Sequence, residues 1–240
     1  MSKTSKHILI VGAGSGIGKS ITGLLSLNYK LSLTSRKEEN LKNNAENSIY
    51  ILDVLQNDNI DSLIKEIPPI DGLVYCPGIT NVVPAHHLKE KSLREVMQVN
   101  FEAAAYITGG LLKAKKIISD ASLLYISSQA VRYPFFGSSA YSASKAALEA
   151  YVLSLSKELQ SKKIRANCIA PAYVESPMLE EARKNMSDSF VENMKKMHPG
   201  AFATSQDIAT LAAFLLSDNS KSINGQVIEA GSFNINIPAL

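Results

Sequence analysis

The chain is poor in the residues that staple or ligate a fold. It has two cysteines, Cys76 and Cys168, and no Cys-x-x-Cys or His/Cys spacing, so no metal site is expected. Among its four histidines, His86 and His87 are adjacent, and their rings are expected to diverge from a loop. No apolar run is long enough to cross a bilayer. The first run, residues 8–11, is short and ends in glycines, so no signal peptide is expected. Charge of one sign is scarce too: the net charge is +3. The densest basic cluster, Lys113, Lys115 and Lys116, reads as a solvated helix end rather than a nucleic-acid stripe. These absences leave a protein of a reduced, cytoplasmic compartment, with no nucleic-acid or membrane partner, as the expectation.

What is present is enough apolar sequence for one large core: 45% of 240 residues are hydrophobic and 20% charged. Short runs rich in Ile, Leu and Val at 6–11, 31–34, 49–52, 72–76, 122–126 and 165–169 read as strands. Helix-periodic segments lie near 16–27, 57–66, 89–113, 142–161 and 205–217. A last strand is expected near 225–229. This alternation predicts an α/β class fold, a Rossmann-like, doubly wound, seven-stranded parallel sheet with helices on both faces. No linker, repeat or low-complexity stretch divides it, so residues 1–240 form a single domain.

The first strand runs into Val11-Gly-Ala-Gly-Ser-Gly-Ile-Gly18 and then a helix. G-x-G-x-x-G fails because Ile17 stands at the third glycine, and the phosphate loop ending in Gly-Lys-Ser fails because Ala13 stands at its first. The spelling that fits is G-x-x-x-G-x-G on Gly12, Gly16 and Gly18. With Ser15 and Ile17, these residues are expected to receive a nucleotide's phosphates at a helix N-terminus. The second strand ends in Thr34-Ser35-Arg36 rather than in an acid. A hydroxyl and a guanidinium suit a ribose 2′-phosphate, which points to NADP(H), with NAD(H) second. A solvated start to the Arg-Lys-Glu-Glu stretch, or Glu38 or Glu39 reaching a diol, remain the alternatives. Asp53-Val54 can present a carboxylate to an adenine amino group or simply close a turn.

Tyr141 and Lys145 are four residues apart on an amphipathic helix, and Ser128 ends a hydrophobic strand. That spacing stacks the phenol and the ammonium on one face, where the ammonium is expected to depress the tyrosine pKa towards working pH. Such a tyrosine exchanges a proton with an alcohol or alkoxide while Ser128 holds the substrate oxygen.

Together, Gly12-x-x-x-Gly16-x-Gly18, Asp53-Val54, Asn100, Ile126-Ser-Ser128 and Tyr141-Ser-Ala-Ser-Lys145 resemble the short-chain dehydrogenase/reductase family, in its single-domain branch. The resemblance runs from residue 6 to about 232 and is closest to the 3-oxoacyl-carrier-protein reductases. It implies catalysis by Asn100, Ser128, Tyr141 and Lys145, with Ser128 favoured over Ser127 and Asn100 kinking a helix. It implies cofactor contacts at Gly78, Tyr141, Lys145, Pro171, Val174 and Ser176, and a homotetramer (a dimer second) built on the small-residue helices around 103–110 and 142–161. It also implies carbonyl reduction to a secondary alcohol, with Lys145 holding the nicotinamide ribose. An NAD-dependent alcohol or sugar dehydrogenase, or a dinucleotide-binding sensor or scaffold, are the other readings. The chain departs from the family at Tyr75-Cys-Pro-Gly78 (for Asn-Asn-Ala-Gly), Val11, Pro171-Ala172 and Glu229-Ala-Gly231. A methionine-rich lid is expected over residues 173–203, and Tyr133-Pro-Phe-Phe136 is expected to line the same cleft.

Overall fold

The computed structural model describes residues 6–41, 47–174 and 202–231. Seven parallel strands form the sheet: β1 (His7–Val11), β2 (Lys30–Ser35), β3 (Ser48–Ile51), β4 (Ile70–Tyr75), β5 (Ile117–Ile126), β6 (Arg165–Pro171) and β9 (Val227–Ala230), in the order β3-β2-β1-β4-β5-β6-β9. Two further strands, β7 (Tyr173–Val174) and β8 (Phe202–Ala203), pair only with each other. The helices are α1 (Gly16–Leu25), α2 (Asn57–Glu66), α3 (Glu90–Met97), α4 (Ala103–Lys113), α5 (Ser139–Glu158) and α6 (Ser205–Leu216).

Successive strand side chains face opposite sides of the sheet, so each strand feeds two cores. Leu9 and Val11 join Ile60, Ile107, Leu148 and Val152 on the face covered by α2, α4 and α5. Ile8 and Ile10 join Ile21, Leu25, Ile208 and Leu215 under α1 and α6. Burial on both faces explains why the strands read as continuous apolar runs rather than alternating ones. Strand order reverses between β1 and β4, and a sheet wound this way opens a crevice beyond its carboxyl ends at that point.

Three features differ from the sequence reading. The segment 89–113 is not one helix: a π-helical turn, Gln98–Glu102, separates α3 from α4. Strand β5 begins at Ile117, five residues early, and takes in exposed Ser119 and Asp120, where its pairing with β4 shifts register. The rings of His86 and His87 do not diverge; the tight 3₁₀ turn Ala85–His87 brings their centroids to 4.2 Å.

Candidate active site

The crevice holds a cleft of about 590 Å³ running from the end of β2 to the end of β5. Its floor at β1 is the glycine loop. Gly16 has φ +48°, a backbone that favours glycine. A Cβ on Gly18 would collide with the Gly12 carbonyl, so only glycine lets α1 start this close to the loop. Ser15 precedes α1 without a side-chain cap, which leaves the helix's first N–H groups to a ligand. Gly12, Ser15, Gly16, Ile17 and Gly18 all line the cleft. An uncapped helix start facing an open cleft fits a pyrophosphate.

Further along, Gly12 N donates to Thr34 Oγ1 at 3.2 Å, and Ser35 Oγ accepts from Lys37 N at 3.3 Å and from Asn40 Nδ2 at 3.5 Å. Arg36 is exposed at the cleft wall, and no ion pair or hydrogen bond engages it among the described residues. Asp53 Oδ1 accepts from Leu55 N at 3.0 Å; it closes a turn and lines the cleft beside Val54. Gly78, Pro171 and Val174 line the cleft as well. Ser176 and most of the expected lid, 175–201, lie outside the described residues.

At the other end, Ser128, Tyr141 and Lys145 line the same wall. Ser128 Oγ accepts from Ala130 N at 3.1 Å and caps the short turn Gln129–Val131. Its own proton is thereby left for the Tyr141 hydroxyl, with which it is hydrogen-bonded. The expected depression of the tyrosine is not what the structure gives. Burial raises the Tyr141 pKa, and only the Ser128 bond opposes it. The reason is where the ammonium points: Lys145 Nζ donates to Ile126 O at 2.7 Å, at the end of β5. Burial in turn lowers Lys145 to about 8. Tyr141 therefore stays a hydroxyl through neutral pH, a proton donor rather than a phenolate.

Asn100 is completely buried in the π turn. Its Oδ1 accepts from Ile79 N at 2.8 Å, and its Nδ2 donates to Ile79 O and to Ser144 Oγ, each at 2.9 Å. It thus ties the loop after β4 to α5, three residues beyond Tyr141. Tyr75, where the family has asparagine, turns its hydroxyl to Val99 O at 2.6 Å and satisfies a carbonyl of the same π turn. Pro77 packs on Gly12, within 3.2 Å of where a Cβ would sit. Burial pushes the Cys76 thiol up to about 12, so it behaves as a small apolar group in the wall. Tyr133 and Phe135 line the mouth with Val82, but Phe136 is 83% exposed and faces away. The turn at Gly137, held to Val83 N by its carbonyl at 3.1 Å, reverses direction after Phe135.

The sequence reading missed Asn40, Ser144 and the buried acid Glu149. Ser144 and Glu149 lie three and eight residues after Tyr141, on the stripe already singled out, so helical spacing alone carried a signal for both.

Comparison with known proteins agrees with this geometry. A sequence model described as short chain dehydrogenase matches residues 6–187. The chain is 30% identical over 237 residues to the 3-oxoacyl-[acyl-carrier-protein] reductase of Rickettsia prowazekii, covering 94% of this chain and 95% of that one. It is 28% identical over 241 residues to that of Thermotoga maritima, covering 95% and 97%. Among solved structures, a short chain dehydrogenase family protein from Francisella tularensis superposes with a TM-score of 0.83 at 25% identity, covering 94% of this chain and 97% of that one. A variant actinorhodin polyketide ketoreductase solved with NADPH shares the fold, with a TM-score of 0.87 at 22% identity over 96% and 98% of the chains. A glycine loop open to a phosphate at one end of the cleft, a tyrosine and a buried lysine one helical turn apart at the other and these likenesses lead to one statement: the chain belongs to the short-chain dehydrogenase family and is a nicotinamide-dinucleotide-dependent oxidoreductase.

Proposed function

We propose that the protein is an NADPH-dependent carbonyl reductase that converts a ketone, or a 3-oxoacyl group, to a secondary alcohol. The observation that carries this reading is the Tyr141 hydroxyl, hydrogen-bonded to Ser128 on the cleft wall that Lys145 also lines. The bound dinucleotide would supply hydride to the carbonyl carbon. Tyr141 then gives its proton to the developing alkoxide, and Ser128 donates a hydrogen bond that fixes the same oxygen. Lys145, one turn along α5, supplies a donor for ribose hydroxyls. Val174 offers a backbone donor and acceptor to the carboxamide, and Ser176 keeps a hydroxyl for the phosphate or amide region. The exposed guanidinium of Arg36 beside Ser35 supports NADPH over NADH. The apolar mouth at Val82, Tyr133 and Phe135 supports a substrate that is apolar beyond its carbonyl.

Exposed Tyr106 on α4 and Leu153 on α5, 45% and 44% accessible, support a homotetramer assembled through those helices. The two free thiols suit a reducing, cytoplasmic setting. Tyr141→Phe tests the chemistry: turnover is expected to fall by at least about a hundredfold, with NADPH binding, followed by nicotinamide fluorescence, unchanged. Near-normal turnover in that variant would refute the assignment.

A further inference from the structure

Glu149 is an acid in a costly place. It lies eight residues after Tyr141 and four after Lys145 on α5, and only 6% of it is accessible. A carboxylate taken out of water needs partners, and here both partners flank Ser128. Ser127, immediately before it, is buried and donates its Oγ proton to Glu149 Oε1 at 2.6 Å, a short, charge-assisted bond. Arg132, four residues after it, places Nη1 3.4 Å from Glu149 Oε2 and 3.5 Å from Oε1. The same guanidinium reaches Glu229 Oε1 on β9 through Nε at 3.0 Å. One carboxylate therefore grips the chain on either side of Ser128.

We propose that Glu149 is a positioning residue of the reaction: through Ser127 and Arg132 it locks the strand end that carries Ser128 onto the helix that carries Tyr141 and Lys145. This rests on the reductase reading for its consequence in turnover. The need is geometric, since the Ser128 hydroxyl must turn its single proton from Tyr141 to the substrate oxygen when substrate binds, and small misplacements of such groups are expensive in rate.

The carboxylate has a second effect, on charge. The titratable groups that face Lys145 are Cys76 after β4, Cys168 on β6, and Glu149 on its own helix. Burial raises both thiols, Cys76 to about 12 and Cys168 further, so neither carries charge at neutral pH. Glu149 is then the negative group that favours the ammonium form of Lys145, and Arg132 on its far side holds it in place.

Two variants test this, each with a readout that a purely structural role would not move. Ser127→Ala removes one arm of the clamp. It is expected to lower kcat about tenfold while NADPH affinity and the unfolding midpoint stay near wild type. Glu149→Gln keeps an acceptor oxygen but loses the charge. It is expected to lower the titration midpoint of Lys145 by about half a unit or more. That midpoint is read from the carbon-13 resonance of the lysine ε-methylene, assigned by its loss in Lys145→Met, and the alkaline fall of kcat should move with it. A Ser127→Ala enzyme with wild-type kcat, or a folded Glu149→Gln protein whose Lys145 midpoint does not move, would overturn the proposal. The resonance is measured without substrate. A midpoint that moves as expected in a protein that reduces no ketone would support the clamp and strike the reductase reading instead.

Discussion

At the substrate end of the cleft Asn100 makes three hydrogen bonds, and Ser128 and Lys145 are each held by a backbone partner within 3.1 Å. At the end of β2 the Arg36 side chain makes none among the described residues, and the Ser35 hydroxyl only contacts of 3.3 and 3.5 Å. The difference follows from what each end must do. Proton transfer needs atoms fixed to a fraction of an ångström, so α5, the π turn and the end of β5 are cross-tied below the surface. On the NADPH reading, recognition of a phosphate at the rim needs only a charge within reach, and the exposed Arg36 would supply it. Changes at the buried end should therefore cost rate, and stability as well where the buried network is cut as at Asn100, whereas changes at the rim should cost only affinity.

The largest effect that would sharpen this contrast, after loss of the Tyr141 hydroxyl, is expected from Asn100→Ala. It strands the Ile79 N–H and carbonyl and frees the π turn. Stability should drop by about 3 kcal/mol in urea unfolding, with turnover falling in the fraction that stays folded. A variant as stable as wild type would mean that the turn holds itself.

A pH profile gives an intermediate effect. Lys145 lies at about 8, below its ordinary 10.5, because burial disfavours its charge. The ammonium is the form present below that midpoint. A rate that depends on it should be full at neutral pH and fall as pH rises through about 8, while Tyr141, with its raised pKa, remains protonated throughout. A rate that climbs through the same interval would assign Lys145 the opposite role. The smallest effect belongs to the rim: Arg36→Ala should weaken NADPH binding roughly tenfold and leave NADH binding and kcat nearly unchanged. Equal weakening of both would break the comparison, because Arg36 would then serve the common part of the cofactor.

The buried end was also the more legible in the sequence, for the same physical reason. Tyr141 and Lys145 sit on α5, whose periodicity fixes their direction, Ser128 lies two residues past the end of β5, and the glycine spelling before α1 admits few conformations. The π turn was not legible in the hydrophobic pattern, although the resemblance placed a helix kink at Asn100, which lies within it. Residues 89–113 keep an unbroken helical pattern, and the turn arises from tertiary partners, the Tyr75 hydroxyl on Val99 O and Asn100 on Ile79, that no local signal announces. The direction of the Tyr141 pKa was misread because spacing places Lys145 on the right face but does not say that its ammonium reaches the Ile126 carbonyl. Phe136 was grouped with Tyr133 and Phe135 by proximity in the chain, and the turn at Gly137, with φ +79°, separates them.

The most direct test is to supply NADPH deuterated at the transferable position, together with a panel of ketones and 3-oxoacyl thioesters, and to examine the products by mass spectrometry. The account predicts a secondary alcohol carrying one deuterium on the carbinol carbon with wild-type protein, and none with Tyr141→Phe. Tight NADPH binding without label in any alcohol would contradict it and leave a dinucleotide-binding protein in place of a reductase.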